Sequence, residues 1–185
     1  AVLLAMLIAF VAAVVLPFAG LLTGKSGPEA KNGVLDLRNW NLNQDGPVRL
    51  NGDWSFHWGE LLAPGSSLPR TESLAVVPGE WTQDGKPGRG FATYRLKVHT
   101  QANGGALGLR IPAIAPAYIL FADGQVVAEA GKVGTDKSET ASAYRPQTVY
   151  FSPRGEQFEL LLQVANELYP TGGIWYSLTL GTERD

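Results

Sequence analysis

Residues Tyr118–Glu129 read YILFADGQVVAE, two apolar runs joined at Asp123-Gly124. An Asp-Gly pair tolerates the two positive φ angles that a tight two-residue β-turn demands, so the stretch predicts a hairpin of Tyr118–Ala122 and Gln125–Glu129. The same texture extends outward. Phe91–His99 alternates, with Tyr94, Leu96 and Val98 on one face and Thr93, Arg95 and Lys97 on the other. Ala106–Ile111 repeats the device with Leu107, Leu109 and Ile111. Val48–Leu50 and Trp54–Trp58 flank an Asn51-Gly52-Asp53 turn, and Thr148–Phe151, Phe158–Val164 and Ile174–Leu180 complete the set. After residue 33 no twelve-residue stretch carries a helical period. About eight or nine short strands between Gly, Pro and Asn turns predict an all-β sandwich or jelly roll. Gly131–Pro146 is the longest connection without a pattern, and Ala63–Leu74 the next.

The first 22 residues differ in kind. Ala1–Leu22 is AVLLAMLIAFVAAVVLPFAGLL, apolar except for Pro17 and Gly20, and no charge precedes Lys25. As α-helix, 22 residues would span about 33 Å, close to the roughly 30 Å hydrocarbon core of a bilayer. An apolar run longer than a signal-peptide core favours a retained membrane helix over a cleaved leader. The expected organisation is a transmembrane helix or signal anchor over 1–24, a juxtamembrane linker over 25–33, and a β-sandwich domain over 34–185. The GLLTGKS run at Gly20–Ser26 is not a phosphate-binding loop: the required first glycine falls on Ala19, and Gly27-Pro28 follows where a helix should open.

Net charge is −2 over 185 residues, with Lys and Arg scattered singly. No basic run exists to neutralise a row of phosphates, so nucleic acid is not an expected partner. The absence of cysteine excludes disulfides, zinc ribbons and thiol catalysis. His57 and His99 lie in alternating strands without metal-type spacing, which predicts ordinary strand histidines and no metal site. No nucleophile elbow or dinucleotide fingerprint is present, and nothing marks two of the 17 acids as a catalytic pair. The fragment is therefore not expected to be an enzyme, and no cofactor is implied.

Five tryptophans remain to be placed: Trp40, Trp54, Trp58, Trp81 and Trp175. Trp54, Phe56 and Trp58 share one strand face, which predicts core. Trp81, after the Val76–Gly79 turn, is also expected to be structural. Trp175 follows the flexible Tyr169-Pro170-Thr171-Gly172-Gly173 loop, which can present it at a rim together with Tyr169. Tyr144-Arg145-Pro146 supplies a second candidate rim, where Arg145 can grip a hydroxyl pair or a carboxylate with both guanidinium edges.

In order, LNGDWSFHWGELL (Leu50–Leu62), VPGEW (Val77–Trp81), ATYRLKV (Ala92–Val98), LGLRIPAIAPAYILFADGQVVAEAGKVG (Leu107–Gly134) and FELLLQVAN…GGIWYSLTLG (Phe158–Gly181) carry a family resemblance. The chain resembles the galactose-binding-like jelly roll, the sugar-binding domain of family-two glycoside hydrolases. It is more closely similar to the extracytoplasmic jelly roll of bacterial seven-transmembrane receptors with diverse intracellular signalling modules. In the sugar-binding relatives the Asn of the VAN segment and the GGIW turn lie near one end of the roll, which implies Asn166 and Gly172–Trp175 as site residues; Asn166 is equally suited to capping a strand end or turn. Many receptor relatives carry an aromatic, a histidine and an arginine between these motifs, whereas this chain has Glu167-Leu168-Tyr169-Pro170.

The preferred expectation is an extracytoplasmic sensor or ligand-binding domain of a membrane-bound bacterial signal-transduction protein, with carbohydrate a candidate ligand. It places the β domain on the periplasmic side of the inner membrane. A membrane bundle and a cytoplasmic signalling module would then follow Asp185. The alternatives are a non-catalytic carbohydrate-binding domain of an exported glycoside hydrolase and a structural periplasmic interaction module.

Overall fold

A computed structural model describes residues 27–66, 73–101, 105–114 and 116–185. The 1–24 leader and the first two residues of the linker expected after it, 25 and 26, lie outside these residues. Among the described residues no helix is long and apolar enough to cross a membrane.

The body is a two-layer β-sandwich. The larger sheet runs β4 (Ser73–Val77), β3 (Gly52–Trp58), β6 (Gly90–His99), β11 (Gln157–Asn166), β8 (Ala117–Ala122) and β9 (Gln125–Ala130), with β1 (Val34–Asp36) added parallel to the far end of β6. The smaller sheet runs β10 (Gln147–Phe151), β7 (Leu107–Ile111), β13 (Thr179–Thr182) and β2 (Val48–Arg49). A third, two-stranded piece pairs β5 (Gly79–Glu80) with β12 (Gly173–Ile174). Among the described residues, helical structure is confined to one turn of α-helix, α1 (Leu42–Asp45), and a 3-10 turn at Trp81–Asp84.

The period-2 patterns decide which faces meet. Tyr94, Leu96 and Val98 of β6 and Phe158, Leu160, Leu162 and Val164 of β11 point inward and are buried. They meet Leu109 and Ile111 of β7, Val48 of β2 and Leu180 of β13 in one continuous core. Trp54 and Phe56 are fully buried on the inner face of β3, as their shared face predicts, and Trp54 Nε1 donates to the Leu50 carbonyl at 3.0 Å. The β8–β9 hairpin turns at Asp123 and Gly124 with φ of +46° and +80°, as the tight-turn chemistry requires. The Asp123 carboxylate accepts from the Glu159 amide at 3.1 Å, tying the hairpin tip to the start of β11.

Two expectations are corrected. Val48–Arg49 and Gly52–Trp58 do not face each other across the Asn51-Gly52-Asp53 turn; β2 joins the small sheet and β3 the large one. The reason is the N-terminal segment: Ala30 donates to the Asn51 carbonyl and accepts from the Asp53 amide, so the chain crosses between sheets there. Gly52, at φ +114°, allows this approach, since a Cβ would lie 2.2 Å from the Ala30 oxygen. The single strand expected over Ile174–Leu180 is two, because Ile174 pairs with Gly79 while Thr179–Thr182 pairs with β7. The outer face of the large sheet is also partly covered. The segment after β3 folds back over it: Thr93 Oγ1 donates to the Glu60 carbonyl and accepts from the Leu62 amide, and Gln163 Nε2 donates to the Leu62 carbonyl. That cover buries Thr93 although the alternation places it away from the core.

Candidate functional site

The aromatic rim is built at the end of the sandwich where β11 finishes and β12 begins. Its foundation is Asn166, the last residue of β11, with no exposed surface. Its Nδ2 lies 2.7 Å from the Gly88 carbonyl and 3.0 Å from those of Tyr169 and Thr171. Its Oδ1 accepts from the amides of Leu168 and Tyr169 at 3.3 and 2.9 Å. Every polar atom of this side chain is engaged by backbone of the 167–172 loop or by Gly88. Asn166 shapes the 167–172 loop and places Tyr169; of the two uses open to it, the turn-capping one is what the geometry gives.

The opposite wall of that loop is Trp81. The ring is buried, its Nε1 donates to the Gly88 carbonyl at 3.1 Å, and its backbone amide donates to the Gly172 carbonyl at 3.0 Å. A Cβ on Gly172 would stand 2.1 Å from the Trp81 ring, and Gly173 holds φ +133°. The VPGEW and GGIW motifs are therefore two halves of one construction, paired Gly173 to Glu80 and Ile174 to Gly79. Neither the pairing nor this complementarity is marked by any period in the sequence, because two-residue strands carry none.

On this foundation the aromatics converge. Tyr169 and Trp175 pack edge to face, ring centroids 5.6 Å apart at 77°. Tyr169 is 41% exposed and Tyr144 73%. Together with Ile114, Pro116 and Ala143 these three rings line a depression of about 180 Å³. The indole Nε1 of Trp175 is buried and has no acceptor among the described residues. Arg145 is exposed next to Tyr144 but does not line this depression. Of the four residues predicted for a site, Tyr169 and Trp175 come together, Asn166 stands beneath them, and Arg145 lies to one side. Tyr144 joins them from the long β9–β10 connection, so the Tyr144-Arg145-Pro146 segment expected as a separate rim contributes its tyrosine to this one.

Beyond Tyr144 a second, shallower groove of about 540 Å³ opens over the edge of the small sheet, lined by Arg110, Tyr144, Gln147, Thr148 and Tyr176 among others. Burial raises the pKa of the Tyr118 phenol, which stays neutral and accepts a hydrogen bond from Gln147 Nε2 at 2.6 Å, holding that amide in place. No group of three or more His, Cys, Asp or Glu side chains among the described residues is placed to hold a metal ion. His57 is buried in β3.

No family model and no curated protein matches the chain. Solved structures do. A GH2 β-galacturonidase from Eisenbergiella tayi, bound to galacturonate, aligns over 74% of this chain and 24% of its own, with TM-score 0.52 and 19% identity. The Faecalibacterium prausnitzii β-glucuronidase aligns over 72% of this chain and 31% of its own, with TM-score 0.57 and 16% identity. A β-glucuronidase from an uncultured Clostridium species gives TM-score 0.55 at 13% identity. The chain spans less than a third of the length of these enzymes. What is shared is a fold, in agreement with the resemblance to the sugar-binding domain of family-two glycoside hydrolases.

Proposed function

We propose that this chain is a non-catalytic carbohydrate-binding domain whose contact surface is the Tyr144–Tyr169–Trp175 rim. One observation carries the reading: three aromatic rings, two of them well exposed, converge around a ring-sized depression on a braced scaffold. Aromatic faces stack against the apolar C–H faces of sugars, and a loop already ordered by Asn166 and Trp81 loses little freedom on binding. The domain's task is recognition. Calorimetric titration with a panel of neutral and acidic oligosaccharides tests it, with Tyr169→Ala and Trp175→Ala expected to weaken binding while the fold persists.

The proposal extends to where that recognition happens. The 22-residue apolar leader and the resemblance to extracytoplasmic receptor jelly rolls support a domain tethered by residues 1–24 on the periplasmic face of the inner membrane. There it would act as the sensor of a signal-transduction protein. The likeness to glycoside hydrolases favours a second reading, an accessory domain of an exported glycosidase. The gene sequence following Asp185 separates the two: further membrane spans support the sensor, and a hydrophilic catalytic barrel supports the accessory domain.

A further inference from the structure

The outward face of the small sheet carries a row of side chains fixed by strand register. Thr148 pairs with Arg110, Arg110 with Thr179, and Thr179 with Arg49. Directly paired residues share a face, and the neighbours Leu109, Ile111, Leu180 and Val48 all point into the core. Arg110 and Arg49 thus stand on the same exposed face two strands apart, about 10 Å. Among the described residues neither makes an ion pair or a side-chain hydrogen bond.

Arg110 lines the shallow groove with Tyr144 and Tyr176, which are 73% and 58% exposed, and no carboxylate lines it. The next row on the face adds Tyr150, 57% exposed, opposite Gly108. Flat aromatic rings at the margins and the Arg110 guanidinium on the floor are the complement of a sugar chain bearing carboxylates; Arg49 stands beyond this groove, in a depression it shares with Glu29 and Asp45. The rings meet C–H faces, and each guanidinium matches a carboxylate with two parallel donors. A membrane surface rich in anionic lipid would call for a polybasic cluster, and the sequence has none.

We infer that the carbohydrate bound is an acidic oligosaccharide, a chain with uronate-type carboxylates, which runs from the Tyr144 rim across the outer face of the small sheet over Arg110 and Arg49. This inference rests on the carbohydrate-binding reading above and specifies its ligand. Tyr144 belongs to both depressions and makes the path continuous.

The test is titration of the full chain with an oligogalacturonide, its methyl ester and a neutral galacto-oligosaccharide of the same length, at low and high salt. The expected result is at least tenfold tighter binding of the free acid, with the preference shrinking as salt rises. Arg110→Gln should remove most of that preference, Arg49→Gln part of it, and Arg110→Lys should fall between. Both arginines are exposed, so unchanged melting temperatures are expected for all three variants. Equal binding of acid, ester and neutral chain would overturn the acidic ligand and leave the carbohydrate reading standing. An undiminished preference in Arg110→Gln would overturn the placement. Binding to anionic phospholipid vesicles without binding to any oligosaccharide would overturn both.

Discussion

Asn166→Ala should be among the most damaging polar substitutions in the molecule, because its side chain is fully buried and every contact its hydrogen bonds make is with backbone. Five backbone groups meet its amide. At about 0.5–1.5 kcal/mol net per hydrogen bond, with more where the abandoned partner stays dry, the loss comes to roughly 3 kcal/mol or above. For a domain of this size that lowers the melting temperature by about 6–12 °C. Asn166→Asp separates the electrostatics from the geometry. It keeps the shape and both accepted amides but turns an oxygen toward three carbonyls in a site without solvent exposure. A carboxylate there is destabilised as an anion, so its folded pKa rises above the unfolded value of about 3.9. The penalty is absent below that unfolded pKa and grows as pH climbs through the folded one. Thermal or urea melts from pH 3.5 to 8, each variant against the parent, read both effects. A melting temperature for Asn166→Ala within 2 °C of the parent, or a pH-independent deficit in Asn166→Asp, would refute the bracing role.

Three further substitutions probe the frame. Gly172→Ala drives a methyl group into the Trp81 ring and should cost about 1–3 kcal/mol by overpacking, seen in a urea melt together with a change in Trp81 fluorescence. Trp54→Ala empties a fully buried site and strands the Leu50 carbonyl, with an expected loss of about 3–5 kcal/mol by the same melt. Gly124→Ala sits at φ +80° with no crowding closer than 3.5 Å, so only backbone strain of roughly 1 kcal/mol is expected, a shift of a few degrees by differential scanning calorimetry.

What the sequence made legible was local. Asp123-Gly124 announced its hairpin because the turn chemistry is contained in two residues, and the alternation of Phe91–His99 announced its buried face because period 2 is a property of one strand. Pairing is not local. Asn51-Gly52-Asp53 looks the same whether the chain doubles back or crosses to the other sheet, and it is Ala30, distant in sequence, that decides. Thr93 and Gln163 look like solvent-facing strand residues because their partners are the backbone of Glu60 and Leu62, which leave no mark in composition. The site divides in the same way. Trp175 and Tyr169 stand out as aromatics beside a glycine-rich turn. The convergence of Tyr144 on them, and the pairing of Arg110 with Thr179 and of Thr179 with Arg49 that aligns two cations, exist only once register is set.

The most direct test of a carbohydrate-binding domain is one calorimetric titration series, the parent chain against Trp175→Ala, with neutral and acidic oligosaccharides. Saturable binding by the parent is expected, at least tenfold weaker in the variant, with the variant still melting cooperatively. At a hundredfold excess over Kd the ligand should add about 2.7 kcal/mol of stability to the parent. No saturable binding across the panel, or equal affinity in the variant, would contradict the account.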